Sequence, residues 1–384
     1  MIDKKYVLPP VDFGSALVRD AFAIERLRGD LGTGTTPVET LVELHALFRV
    51  VMSVISARIE GNHTTVYDAL SQLGPVDAGE ESPTDSLHEI MNILDGIDFI
   101  DSIDAAQPIT HVLIRELHRI AVSDLSREGD RTPGEYRSNE VSISDSAHAP
   151  PSHVYVHAEM SALLDFANRE MPTHEQMIHV AIAHHRFVWI HPFTNGNGRV
   201  SRLFTYAMLR RNGFDSIPGY RAVNPTAVFG NDRDGYYAAL EAADDLSGTG
   251  TLAWCEFFVH GLRQDLERLV RMQDFDFVTR ELLSPAIDAL RASGGLTLEE
   301  ASALQIAAVT GVVKAADLAP ALPGTPSQRS VAIRGLLGRG LLTADERGPR
   351  FYRTALSRGP LAPFIVRRLD ALGYLPRMLE HDGE

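Results

Sequence analysis

Twelve consecutive residues, His191-Pro192-Phe193-Thr194-Asn195-Gly196-Asn197-Gly198-Arg199-Val200-Ser201-Arg202, bring together an imidazole, a glycine-rich turn and two guanidinium groups. The apolar run from Ile182 to Ile190 (IAHHRFVWI) predicts a helix that stops near His191, because a proline disfavours helical geometry in the residue before it. Gly196-Asn197-Gly198 lets backbone N–H groups converge, and a second helix (RVSRLFTYAMLRR) is predicted to start at once. Loop amides, a helix N-terminus and its positive dipole end together make a cradle for phosphate. Arg199 and Arg202 lie three apart and so project from one helix face toward the same charge. A histidine at the rim, with no serine elbow or cysteine beside it, suits a base acting on another molecule's hydroxyl. A plain helix–loop–helix would explain the glycines alone. It does not explain the arginines and the histidine.

The elements that must position these groups read as helices. A long amphipathic pattern runs from Thr36 to Ile59, with further helices predicted at 84–104, 110–123, 158–170, 174–190, 198–211, 232–245 and 251–270. Around 132–157, GEYRSNEVSIS and HVYVHA flank Pro150-Pro151 and predict a short β-hairpin. The first long helix ends in Ser56-Ala57-Arg58-Ile59-Glu60-Gly61-Asn62. Gly61-Asn62 is a helix stop, which puts Glu60 in the last turn, at the end of the macrodipole that disfavours a carboxylate. Such a group invites a compensating cation, and Ser56 shares its face. A frayed helix end with a solvated glutamate is the alternative these residues leave open.

The run from His191 to Arg202 resembles the motif of the Fic family, HPFx[D/E]GNGRxxR, at every defined position except Asn195. Fic proteins are all-helical enzymes, most of which transfer AMP from ATP to a Ser, Thr or Tyr hydroxyl of a target protein. The resemblance implies His191 as general base, Gly196, Asn197 and Gly198 on the α- and β-phosphates, Arg199 on the β-phosphate and Arg202 on the γ-phosphate. Asn195 stands where the family has a carboxylate that ligates Mg²⁺. An amide oxygen can still bind a hard cation but brings no charge, so weaker metal binding is expected there. Ser56 to Gly61 resembles the family's inhibitory pattern [S/T]xxxE[G/N], which implies that Glu60 pairs with Arg202 and obstructs the γ-phosphate. Ser56, Glu60, Gly61 and Asn62 are therefore expected to form an inhibitory turn. The segment 132–157 resembles the family's flap, which holds a target segment by strand addition; Ala147 and His148 would lie nearest the nucleotide, and Arg137 lies in its GxYR stretch. Tyr236, Tyr237 and Asp244 occupy the place where similar chains line the adenine and ribose pocket. Neighbouring helix residues point about 100° apart, so the two tyrosines are not expected to make equivalent contacts.

The rest of the chain bounds this reading. No apolar run approaches the length of a membrane span, and the N-terminus has no signal-peptide core, so no membrane partner is expected. One cysteine, Cys255, in an apolar setting, fits a buried thiol and a cytoplasmic location. HEQMIH at 174–179 has one residue too many for a zinc helix, and there is no P-loop. A net charge of −15 argues against general nucleic-acid affinity. Residues 311–360 invert that balance, with eight basic residues against three acidic ones. ALQIAAVTG, VKAADLAPAL and SQRSVAIRGLLGRG read as three short helices, and LLTADERGPRFYRTA as a two-stranded wing. That tail resembles a winged-helix domain, with Arg329 and Arg334 on a recognition helix and Arg347 and Arg350 in the wing, suited to DNA or to a protein partner. The expected organisation is an all-α fold with a β-hairpin flap: an N-terminal helical region at 1–110, a Fic core at 111–262, a helical linker at 263–294 and a winged helix at 295–384. The expected activity is AMP transfer restrained by Glu60, with ATP and Mg²⁺ required and a homodimer expected. Removal of AMP, transfer of another phosphate-bearing group, and nucleotide sensing by a DNA-binding regulator are the alternatives.

Overall fold

A computed structural model describes residues 4–72, 84–143, 146–214 and 226–376. The protein is 63% helix and 4% strand, as the helical patterning predicts. The chain resolves into two compact units: Met1–Asp30, Met52–Thr64 and Glu81–Glu267 form the first, and Leu31–Val51, Thr65–Glu80 and Arg268–Glu384 the second.

The first unit contains α1 (Ala16–Asp30), the end of α2 (Val38–Ile59) from Met52 onward, α4 (Asp85–Ser102), α5 (His111–Ala121), α6 (Val156–Ala167), α7 (Gln176–Ile190), α8 (Asn197–Arg211), α9 (Thr226–Asn231), α10 (Arg233–Ala243) and most of α11 (Gly248–Arg271). The short α3 (Val66–Gln72) falls in the second unit. Each start has a local cause where a cap exists: Thr110 accepts from Leu113 N–H at 3.2 Å and Asp232 from Gly235 N–H at 2.9 Å, satisfying donors that the helix leaves unpaired. Helices α7 and α8 are buried almost all round and form the centre, with α6 against α7 and with α4 and α5 against α8. Gly96 lets α4 approach closely, since a Cβ there would lie 2.7 Å from Leu203 Cδ1. Cys255 is fully buried and burial pushes its thiol up to about 12, so it is an inert core group, as expected.

Three expectations differ. The segment 132–157 carries no strand among its described residues. Pro150 and Pro151 have no N–H to give a ladder, and the carbonyls of Asn139 and Pro151 instead accept from the Arg137 guanidinium. Helix α2 is long and apolar enough, by length and composition, to cross a membrane, contrary to the reading of the sequence; 67% of its most apolar window is nevertheless buried within the protein. In the second unit, α12 (Phe275–Phe277), a π-helical stretch (Val278–Leu283), α13 (Ser284–Ala292), α14 (Leu298–Thr310), α15 (Pro326–Gly338) and α16 (Ala362–Ala371) accompany a sheet of order β1-β3-β2: β1 (Val313–Lys314), β2 (Leu342–Asp345) and β3 (Gly348–Thr354). The predicted middle helix of the tail is thus strand and turn. Val313 is fully buried and pairs with Tyr352, which draws the chain into the sheet, and Pro320 limits any helix that follows.

Candidate active site

Helix α7 ends at His191, whose backbone lies in the left-handed region at φ +50°. For a residue with a Cβ that geometry is uncommon and costs on the order of 1 kcal/mol or more. Arg137 compensates. Its Nε donates to His191 O at 2.8 Å, its NH2 group to Ile190 O and Pro151 O, and its backbone N–H to Pro192 O at 2.9 Å. Burial pushes the His191 imidazole down to about 4, with the Val188 carbonyl and Glu60 pulling back and Arg137 and His148 adding to the fall. The ring is therefore neutral near pH 7, with a lone pair able to accept a proton.

The loop between α7 and α8 is fixed from inside. Asn197 Oδ1 accepts from Phe193 N–H at 2.9 Å while its Nδ2 donates to Phe193 O at 2.8 Å. The Phe193 ring stacks on His118, with centroids 3.8 Å apart. His118 Nδ1 accepts from Gly134 N–H at 2.9 Å, which leaves the proton on Nε2 for Asn195 O at 3.2 Å. His118 is a positioning residue the sequence did not disclose; its only signal is its place on the buried face of α5 beside Ile114, Leu117 and Ala121. Burial pushes it, too, down to about 4.

Gly196, at φ +75°, opens α8, whose first-turn N–H groups have no intrahelical partner. The carboxylate of Glu60 fills the space over that turn: a Cβ on Gly198 would lie 2.0 Å from Glu60 Oε1. The same oxygen accepts from Arg202 NH2 at 2.8 Å, and Arg202 Nε donates to Ser56 Oγ at 2.8 Å. Burial raises the Glu60 carboxyl, but Arg202, Arg199 and His191 outweigh it and hold it below the usual range. Glu60 sits just past α2 because Gly61, at φ +96°, turns the chain, with Asn62 N–H returning to Ala57 O at 3.1 Å.

The structure therefore brings together His191, Gly198, Arg202, Ser56 and Glu60. Arg199 is turned to other partners: its NH1 donates to Ala121 O at 3.1 Å and its NH2 to Glu128 O at 2.7 Å. The two tyrosine rings pack with centroids 5.1 Å apart, but their hydroxyls find different partners. Tyr237 OH reaches Ile59 O at 3.5 Å, where Arg233 Nε also donates at 3.2 Å, so this pair caps the end of α2. Tyr236 is buried, with its OH 3.0 Å from His184 Nε2 among Phe229 and Trp254. Asp244 lies 3.2 Å from His185 Nε2, and its carbonyl accepts from the Trp189 indole. His148 Nε2 meets Trp189 O at 2.8 Å, and Ala147 is exposed beside it.

Asn195 spends its amide on the loop: Nδ2 donates to Gly129 O at 3.3 Å, and Oδ1 accepts from Gly196 N–H at 2.7 Å. Among the described residues no group of three or more His, Cys, Asp or Glu side chains is placed to hold a metal ion. This donor set does not fit a carboxylate-held Mg²⁺. In the second unit Arg329 donates to Leu322 O, Arg347 pairs with Glu39 at 3.1 Å and Asp345 at 3.3 Å, and Arg334 and Arg350 are exposed.

Residues 108–209 match the Fic/DOC family profile. That stretch is similar to Fic/DOC domains. Relatives of the Fic domain include the protein adenylyltransferase Fic of Nematostella vectensis, 31% identical over 163 residues, which are 41% of this chain and 34% of that protein. The protein of the same name from Drosophila willistoni is 31% identical over 193 residues, 50% of this chain and 36% of that one. The chain thus spans about a third of the length of these relatives. Among solved structures, a Fic family protein from Desulfovibrio desulfuricans superimposes with a TM-score of 0.56 at 21% identity, covering 91% of this chain and 98% of that one. A Fic-domain signaling protein from Bacteroides thetaiotaomicron gives 0.53 at 20% identity, over 67% of this chain and 97% of that one. These two show that the fold is shared.

Proposed function

We propose that this chain is a protein adenylyltransferase that transfers AMP from ATP to a Ser, Thr or Tyr hydroxyl of a target protein, and that Glu60 holds it in a self-inhibited state. One observation carries the proposal: a carboxylate occupies the anion seat at the start of α8, gripped by Arg202, with a neutral imidazole at the rim. The names of the curated relatives support the same chemistry.

In the reaction, the triphosphate displaces Glu60 and its terminal phosphates take over Arg202 and the α8 N-terminus. His191 removes the target hydroxyl proton as the hydroxyl oxygen bonds to the α-phosphorus. The bond from the α-phosphorus to the bridging oxygen breaks, and its electron pair leaves with pyrophosphate. The base supplies about 10²–10⁴-fold, and donors preset around the phosphates stabilise the charge that moves onto the leaving group.

The test is self- and lysate labelling by α-³²P-ATP. Glu60→Gly is expected to label at least tenfold above the natural sequence, and adding His191→Ala to remove about 10²–10⁴-fold of that signal. Equal labelling by the Glu60→Gly protein and the parent overturns the inhibitory role. Release of AMP from a pre-modified target by the parent alone would instead assign the site to removal.

A further inference from the structure

The turn after α2 has two tethers. Glu60–Arg202 is the first, and any anion that enters must break it. The second is Asn62, which is 9% exposed. Its Nδ2 donates to Ser86 O and to Glu89 Oε2, both at 2.8 Å, and its Oδ1 accepts from Thr64 N–H at 2.8 Å. Three of the four hydrogen bonds open to an amide are made, so the residue is held in one orientation.

Glu89 is itself a buried carboxylate, 3% exposed, near the start of the buried face of α4. Its second oxygen lies 3.3 Å from Arg199 NH1 and makes no hydrogen bond of its own. Arg199 in turn pins the end of α5 and the 122–129 loop through Ala121 O and Glu128 O. A continuous path therefore runs from the inhibitory turn, through Asn62 and Glu89, to the guanidinium beneath the phosphate cradle. Burial raises the Glu89 carboxyl, Arg199 and Asn62 draw it down, and the charge of Glu60 pushes it up again. The two carboxylates thus face one pair of arginines and repel each other. Against that repulsion the turn has the Glu60–Arg202 contact and the Asn62–Glu89 contact.

We propose that Glu89 is the fixed anchor of the lock, a positioning residue that holds the Glu60 turn through Asn62 while it holds the cradle floor through Arg199. This rests on the inhibitory reading of Glu60. Loosening the Asn62–Glu89 contact should open the site even though Glu60, Ser56 and Arg202 are all intact.

The experiment is a double-mutant cycle on the full chain, read by α-³²P-ATP labelling and, in a His191→Ala background, by ATP affinity. Asn62→Ala should raise labelling at least fivefold and tighten ATP binding by a similar factor. Glu60→Gly with Asn62→Ala should match Glu60→Gly alone within twofold, because Asn62 acts only through Glu60. Asn62→Asp, which keeps the side-chain shape and sets a carboxylate against Glu89, should behave as Asn62→Ala does and carries the test if the alanine variant fails to fold. Parent-level labelling and ATP affinity in both Asn62 variants, beside strong labelling by Glu60→Gly, overturns the anchor and leaves the lock standing. An equal loss of labelling from Asn62→Ala in both backgrounds also overturns it, reducing Asn62 to a fold element. No gain from Glu60→Gly removes the lock, and the anchor with it.

Discussion

Arg199 and Arg202 leave α8 three residues apart and meet carboxylates of opposite character. Arg202 grips Glu60, whose side chain is 29% exposed and comes from a turn just past a helix end. Arg199 faces Glu89, whose side chain is 5% exposed and set within a helix, and donates to two backbone carbonyls. The first pair can part, because water and an incoming anion can each replace one partner. The second cannot part without stranding a charge in the interior. Two guanidinium groups of one motif thus sit differently, one on a partly exposed carboxylate and the other on a buried one.

The sharpest way to break this contrast is to delete each arginine and measure stability by denaturant unfolding of the full chain. Arg199→Ala should cost about 3–5 kcal/mol, the range for stripping one partner from a buried pair, and Arg202→Ala less than half as much. Equal costs would mean that both pairs are structural. A second effect, of a few kcal/mol, should appear as acid sensitivity. His118 and His191 sit at about 4 when folded, below the ordinary value of 6.5. The unfolded chain binds their protons first, so the stability they contribute is complete above about 6.5 and drains away as the pH falls toward 4. Glu60, held below its usual 4.5, loses its contribution only beneath that value. Unfolding midpoints of the parent and Glu60→Gly should therefore run parallel from pH 7 to 5 and converge in stronger acid. Convergence already near pH 6 would place the Glu60 titration elsewhere. The smallest effect belongs to the ion pairs of the second unit. Arg347 is 53% exposed against Glu39, so Arg347→Ala should change stability by about 0–1 kcal/mol, less in high salt.

What the sequence disclosed follows from how far apart the cooperating residues lie. His191 to Arg202 and Ser56 to Asn62 are contiguous, so the spacing of each motif already contains its geometry. That Tyr236 and Tyr237 make different contacts follows likewise from the helical turn. His118 and Asn195 meet across 77 positions, and Asn62 and Glu89 across 27, with nothing local to announce either contact. Charge counting in the tail is local in the same way: it could not show that Arg347 and Arg353 are answered by Glu39 and Glu43, about 310 positions away. The predicted hairpin and middle tail helix rested on local propensity, and tertiary partners overrode it in both places. Arg137 took the flap carbonyls, and β3 took Val313.

On the proposed reading, a seat filled from within also sets the terms on which nucleotide is read. Under the proposed lock, only molecules whose turn has swung clear accept ATP, and the observed dissociation constant is the intrinsic one divided by that open fraction. With about one molecule in a hundred open, ATP would have to be roughly a hundredfold more concentrated to half-fill the site. In the proposed lock the stub of chain from Glu60 to Asn62 is a built-in competitor at fixed dose, and a partner that strengthens or weakens its hold would set the threshold at which the protein responds.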